Sequence, residues 1–93
     1  MPRVVRQGDK NSAGGRVLRG NKHFIVDGVP IAVDGSPVSA HNPCPKHKKH
    51  CHAKTSQGTR HFVVNGIPVN VVGDKDTCGH ARIEGSKHFH VAK

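Results

Sequence analysis

The sequence predicts an all-β fold: one small domain built from three β-hairpin repeats with pseudo-threefold symmetry. Three observations carry this expectation. A Gly-x-Lys/Arg-His-Phe segment occurs three times, at Gly20–Phe24, Gly58–Phe62 and Gly85–Phe89. Asp27-Gly28 and Asn65-Gly66 each divide two runs of apolar and β-branched residues, which marks a tight hairpin because both central positions need positive φ. Helix signals are poor, with 11 Gly and 6 Pro scattered through 93 residues. Repetition on this scale constrains the architecture before any single residue does. The units run approximately 8–34, 35–72 and 73–93 within a single domain, 1–93.

Each unit has the same parts in the same order. Gly8-Asp9 and Gly73-Asp74 head the first and third units, and Gly35-Ser36 holds that place in the second. The predicted strands follow: Phe24-Ile25-Val26 turns at Asp27-Gly28 into Val29–Val33, and Phe62-Val63-Val64 turns at Asn65-Gly66 into Ile67–Val71. Strand alternation puts Phe24 with Val26, Phe62 with Val64 and Phe89 with Val91 on the core side. His23, His61 and His88 then face outward, as an exposed trio or as a second site on the axis. Pro30 and Pro68 lack a backbone N–H and belong on edges or bends. The third unit stops at Lys93, before a hairpin of its own closes. The stretch from Ala40 to Gln57 has no strand pattern and reads as a long loop.

A chain of this size buries about 60–65% of its unfolded surface, so its core is marginal and a staple is expected. Three cysteines are too few for a disulfide framework, and an odd count argues against complete pairing. Nine histidines point to metal instead. Zinc takes four thiolate or imidazole ligands in a tetrahedron. The candidates are His47, His50, His52, Cys78 and His80 around one structural zinc ion. In an extended segment His50 and His52 face one way and Cys51 the other. Cys78 stands before Gly85 as Cys51 stands before Gly58, so superposed repeats converge on a site between the second and third units. Ala13 fills that place in the first unit, leaving His47 first and His80 second for the missing ligand; His41, Cys44 and Cys51 stay open.

The net charge of +9 suits an acidic or polyanionic partner, or serves solubility. No apolar run reaches the roughly 20 residues that span a bilayer, and Met1–Arg6 leads into no secretory signal. Synthesis in the cytoplasm is expected, with any exit depending on a carrier. A catalytic zinc needs an open position and usually a nearby carboxylate. Only Asp76 and Glu84 are not accounted for as turn residues, so no enzyme is expected.

Taken together, the motifs resemble those of PAAR-repeat proteins. Gly8-Asp9, Gly20-Asn21, Asp27-Gly28 and Pro30–Val33 match one repeat. Gly58-Thr59, Asn65-Gly66 and Pro68–Val71 match the next, and Gly73-Asp74, Cys78-Gly79 and Gly85-Ser86 the third. Cys44-Pro45-Lys46-His47 is similar to the family's Cys-Pro-x-His middle loop. The Ala-Ala-Arg after Pro30 and Pro68 is replaced. Ala13 stands where the family commonly offers a histidine in its three-His, one-Cys set, which shifts weight to the middle loop.

The resemblance implies a small cone whose base binds the blunt end of a trimeric β-helical spike, one copy per trimer, with zinc near the point. Such a cone leads the needle of a type VI secretion system or contractile phage tail through a target membrane. It implies export at the tip of the machine or a place in a virion tail, transient contact with the membrane, a possible separate effector, and no small-molecule substrate. Arg3, Arg6, Arg16, Arg19 and Arg82 are candidates for pairing with acidic groups on the spike. The competing reading is a small zinc-dependent nucleic-acid-binding module. The sequence lacks paired Cys-x-x-Cys knuckles and a groove helix and has few aromatics for stacking, so no nucleic-acid partner is expected. A metal-storage protein would hold several labile ions rather than one tight one.

Overall fold

The computed structural model describes all residues, Met1–Lys93. Two antiparallel hairpins form where the turn dipeptides predict them: β1 (Asn21–Val26) with β2 (Val29–Ile31), and β3 (Thr59–Val64) with β4 (Ile67–Val69). Asp27 and Gly28 have φ of 54° and 81°, and Asn65 and Gly66 have 53° and 76°. This double left-handed turn matches the twist of the flanking strands, and Asp-Gly or Asn-Gly makes it at low cost. Both hairpins carry a register irregularity, between Asn21 and Ile25 and between Thr59 and Val63.

The threefold is a property of the backbone. The Val5 amide donates to the Asn70 carbonyl (2.9 Å), Asn70 to Ala32 (3.0 Å) and Ala32 back to Val5 (2.9 Å). A second cycle surrounds the first: Gln7 donates to Pro30, Asp34 to Pro68 and Val72 to Arg3, each at 2.9 Å. Three short segments thus close a triangular ring in which every side satisfies the next, as buried peptide groups require. Residues Val5, Ala32 and Asn70 are equivalent in it, and so are Gly8, Gly35 and Gly73.

The third unit, which forms no hairpin of its own, is completed by the chain's start. Arg3 pairs with His90, the Val4 amide donates to Phe89 O (3.0 Å), and Ser86 N donates to Val4 O (2.8 Å). Gly20, Gly58 and Gly85 mark where hairpin meets ring. A Cβ on Gly20 would lie 2.7 Å from the Pro30 and Ile31 carbonyls, and one on Gly85 would lie 2.6 Å from Val4 O. Only glycine lets the strands approach that closely.

Alternate ring residues turn to opposite sides of the strand. Val4, Ile31 and Val69 join Val26, Val33, Val64 and Val71 in the main core. Phe24, Phe62 and Phe89 pack on it, half-buried, with centroids 5.0–5.7 Å apart. The repeat-equivalent aromatic groups therefore meet one another, while His23, His61 and His88 stay exposed. Val5 and Ala32 instead form a second cluster with Val17. Beyond it lie three smaller loops closed by the bridges Lys10↔Arg16, Pro37↔Lys54 and Lys75↔Ala81. The middle one is the long loop, and it contains one 3-10 turn, Lys48–His50.

Candidate metal centre

The middle and third of these loops carry the three cysteines and five of the nine histidines. His41 and His50 come from the middle loop, and Cys78 and His80 from the third. One nitrogen each of His41, His50 and His80 lies within 4.8 Å of the others. His50 Nδ1 is 3.3 Å from His41 Nε2, and Cys78 Sγ is 3.4 Å from that same atom. Ligands about 2.0–2.3 Å from a tetrahedral ion stand roughly 3.3–3.6 Å from each other, so the two separations from His41 Nε2 fit edges of such a site.

The donors are also prepared for a metal. The Nδ1–H of His41 donates to the Ser39 carbonyl (2.8 Å), which leaves a lone pair on Nε2 facing the cluster. His80 Nδ1 is 3.2 Å from Ser12 Oγ, and its buried Nε2 has no hydrogen-bond partner. An orphaned buried nitrogen is costly in a site without a ligand and natural in one with a cation. His50 is buried, and burial first, then the nearby His80 and His41 rings, lowers its pKa below the ordinary 6.5. Its imidazole stays neutral, the form that binds metal. Cys78 is a free, buried thiol packed with Val38 and Ala53. The residues present fit a three-nitrogen, one-sulfur ion site.

The structure does not bring His47 and His52 into this group; both are exposed. The physical reason is local. The chain turns over Lys48–His50 instead of running extended, so His50 points inward and the expected partnership with His52 is lost. The cysteine reading is corrected as well. Cys44 and Cys51 form a disulfide with sulfurs 1.99 Å apart, which removes both from the ligand candidates and leaves one thiol. The bond closes the loop that delivers His50, aided by the His41 amide donating to the His50 carbonyl (3.2 Å). An odd cysteine count excludes complete pairing and leaves a single bridge open.

Beneath the cluster a buried polar network ties the first loop to the third. Asn11 Nδ2 donates to Asp76 Oδ2 (2.9 Å), and Asn11 Oδ1 accepts from Ala13 N (2.9 Å) and Gly15 N (2.8 Å). Arg82 Nη2 donates to Gly15 O (2.7 Å), and its Nε lies 3.3 Å from Asp76 Oδ1. Desolvation pushes the Asp76 carboxyl up and the Arg82 guanidinium down, outweighing their mutual attraction. Such a pair costs desolvation and contributes positioning. Arg82 is thus not available to a spike, and Asp76 is not a free base. Arg6 is also spent internally, on Asp9 (3.0 Å) and Asp27 (2.9 Å).

A triangular ring carrying a Cys/His cluster on its small loops defines a small all-β domain whose residues could hold a metal. The model of the PAAR motif matches residues 7–87, and the chain belongs to the PAAR family. That membership supports a spike-tip protein of contractile injection systems, and implies association with a spike protein and a place in secretion machinery or a phage tail. Among curated proteins no match is found.

Proposed function

We propose that the protein is a zinc-stapled point that caps a trimeric β-helical spike, one copy per trimer, and leads it through a target membrane. The closed threefold ring of backbone hydrogen bonds is the observation that carries this reading. A trimer ends in three equal surfaces, and a single chain meets all of them only if it repeats itself around the same axis. The hairpin set supplies candidates for contact: Ile25 and Val63 occupy equivalent positions and are 53% and 47% exposed. Burying them would supply apolar area, at about 25 cal/mol per Å².

The proposed ligands are His41, His50, His80 and Cys78, which keep three of the five residues expected from the sequence and add His41. A bound zinc would cross-link the middle and third loops and contribute on the order of 10 kcal/mol to a chain with little core. Ser39 and Ser12 orient His41 and His80, and the disulfide holds His50 in reach. The work is mechanical and needs no catalytic group; Asp76 is already engaged by Asn11 and Arg82.

The test is to mix the protein with candidate trimeric spikes, measure the mass of the complex, and assay metal in the same sample. One chain and one zinc per trimer is the expected result. Three chains per trimer, or no complex with any spike encoded alongside it, would refute the capping reading.

A further inference from the structure

The three flanks between neighbouring units are equivalent in backbone and different in chemistry. On one flank, Thr59 Oγ1 donates to Ala92 O (2.7 Å), and Lys93 Nζ donates to Gln57 O (2.6 Å) and the Asp74 carboxylate. That flank is filled by the side chain of Lys93. The corresponding residues of a second flank are Ser86, Glu84 and Asp9, and there the Asp27 turn lies where Ala92 lies in the first. Ser86 Oγ donates to the Asp27 carboxylate, where Thr59 donates to the Ala92 carbonyl. The next residue, however, is Gly28 rather than Lys93. It has no side chain to send in, and the flank remains an open groove of about 520 Å³.

The charges in this groove are unbalanced. Asp27 is occupied by Arg6 Nη1 (2.9 Å), Ser86 Oγ and His88 Nδ1 (3.2 Å). Those contacts, the Ser86 hydrogen bond foremost, hold its carboxyl below the ordinary range. Glu84 Oε1 accepts from the Lys10 amide (3.1 Å) and faces Arg16 at 3.8 Å. The side chains of Arg3, Lys10 and Lys87 also line the groove, and none has an acidic partner.

We propose that this groove, lined by Arg3, Lys10 and Lys87, is a docking site for an extended acidic peptide segment of a partner protein. Peptide is favoured over a small anion because a groove of about 520 Å³ exceeds one such ion and its three unpartnered cations offer several charge contacts at once; on the equivalent flank a single side chain, that of Lys93, reaches Gln57 O and the Asp74 carboxylate. The polarity is reversed. Where Lys93 meets Asp74 on the filled flank, an incoming carboxylate meets Arg3, Lys10 and Lys87 on the open one. Neither Ile25 nor Val63 lines the groove, so its failure would leave the capping reading untouched.

The experiment measures fluorescence anisotropy of a labelled hexaglutamate peptide, with hexaglutamine as control, on the metal-loaded protein at low salt. The glutamate peptide should bind and the glutamine peptide should not. The double variant R3Q/K87Q should weaken binding about tenfold or more, while K46Q/K48Q, which removes the same charge from the long loop, should change it less than about twofold. Equimolar pyrophosphate should leave the complex intact. In the wild-type protein, amide resonances of Lys10, Glu84 and Lys87 should shift on titration, a readout that does not depend on the variants folding. No binding of hexaglutamate, equal losses in the two double variants, displacement by equimolar pyrophosphate, or shifts confined to the long loop would each overturn the proposal.

Discussion

Replacing Cys78 by serine separates the metal from the packing around it. The thiol is 5% exposed, touches Val38 and Ala53, and lies 3.4 Å from His41 Nε2. Serine keeps the shape and can still hydrogen-bond His41, so without metal the change should cost no more than about 1 kcal/mol. With metal the cost is larger, because a hydroxyl is a far poorer zinc ligand than a thiolate. If a structural ion contributes on the order of 10 kcal/mol through four ligands, losing one removes roughly 2–3 kcal/mol. For a domain of this size each kcal/mol moves Tm by about 4–8 °C. The expected deficit of C78S is therefore about 10–20 °C in zinc and only a few degrees in a strong chelator. Calorimetry of both proteins in both conditions reads this directly. A wild-type Tm indifferent to chelation would refute the staple. A C78S deficit of equal size with and without chelator would show that the thiol acts by packing alone.

Two further outcomes follow from the same cluster. A Cβ on Gly15 would stand 2.5 Å from His41 Nδ1 and 2.9 Å from Val38 Cγ1, so Gly15→Ala should push His41 out of position and lower bound zinc to well below one per chain, as elemental analysis would measure. The metal-free protein should lose stability as pH falls below about 6.5. His50 has a depressed folded pKa, so its contribution is complete above the unfolded value and is lost as the unfolded chain takes up the proton. Asp27, lowered from 3.8, adds a second loss at still lower pH. Urea titrations from pH 8 to pH 3 would check both, and a midpoint that stays flat from pH 7 to pH 5 would contradict the account of His50.

What was legible in the sequence was local. Asp27-Gly28 and Asn65-Gly66 specify their turns from two residues each, and the alternation around Phe24, Phe62 and Phe89 identifies the side that packs. The closure of the third unit depends on Arg3 pairing with His90 at the far end of the chain, and no local signal records that. The error at His52 has a similar origin. Period-two reasoning holds only in a strand, and the 3-10 turn at Lys48–His50 is held by a disulfide and the His41–His50 backbone bond. Arg82 carries a charge that usually means surface, yet Asp76, Asn11 and Gly15 together make a buried place for it. Sequence position alone does not reveal that Ser39 fixes the tautomer of His41 and Gly15 makes room for its ring.

The division between backbone and side chain explains how one small chain serves several contacts. Both hydrogen-bond cycles use main-chain groups only, so the ring closes whichever side chains occupy equivalent positions. Val5, Ala32 and Asn70 illustrate the tolerance: one ring position holds a β-branched apolar residue, a methyl group and an amide. Asn70 uses that freedom to donate to Asp34 Oδ1 at 2.7 Å. The same freedom lets the loop at Ala13 stay short while the middle loop lengthens enough to bring in two of the cluster's three histidines. It also lets Lys93 fill one flank while Gly28 leaves another open. A strict threefold sequence would repeat every one of these features three times. The observed sequence preserves the symmetry where a trimer would dock and breaks it where a single ion and a single peptide would bind.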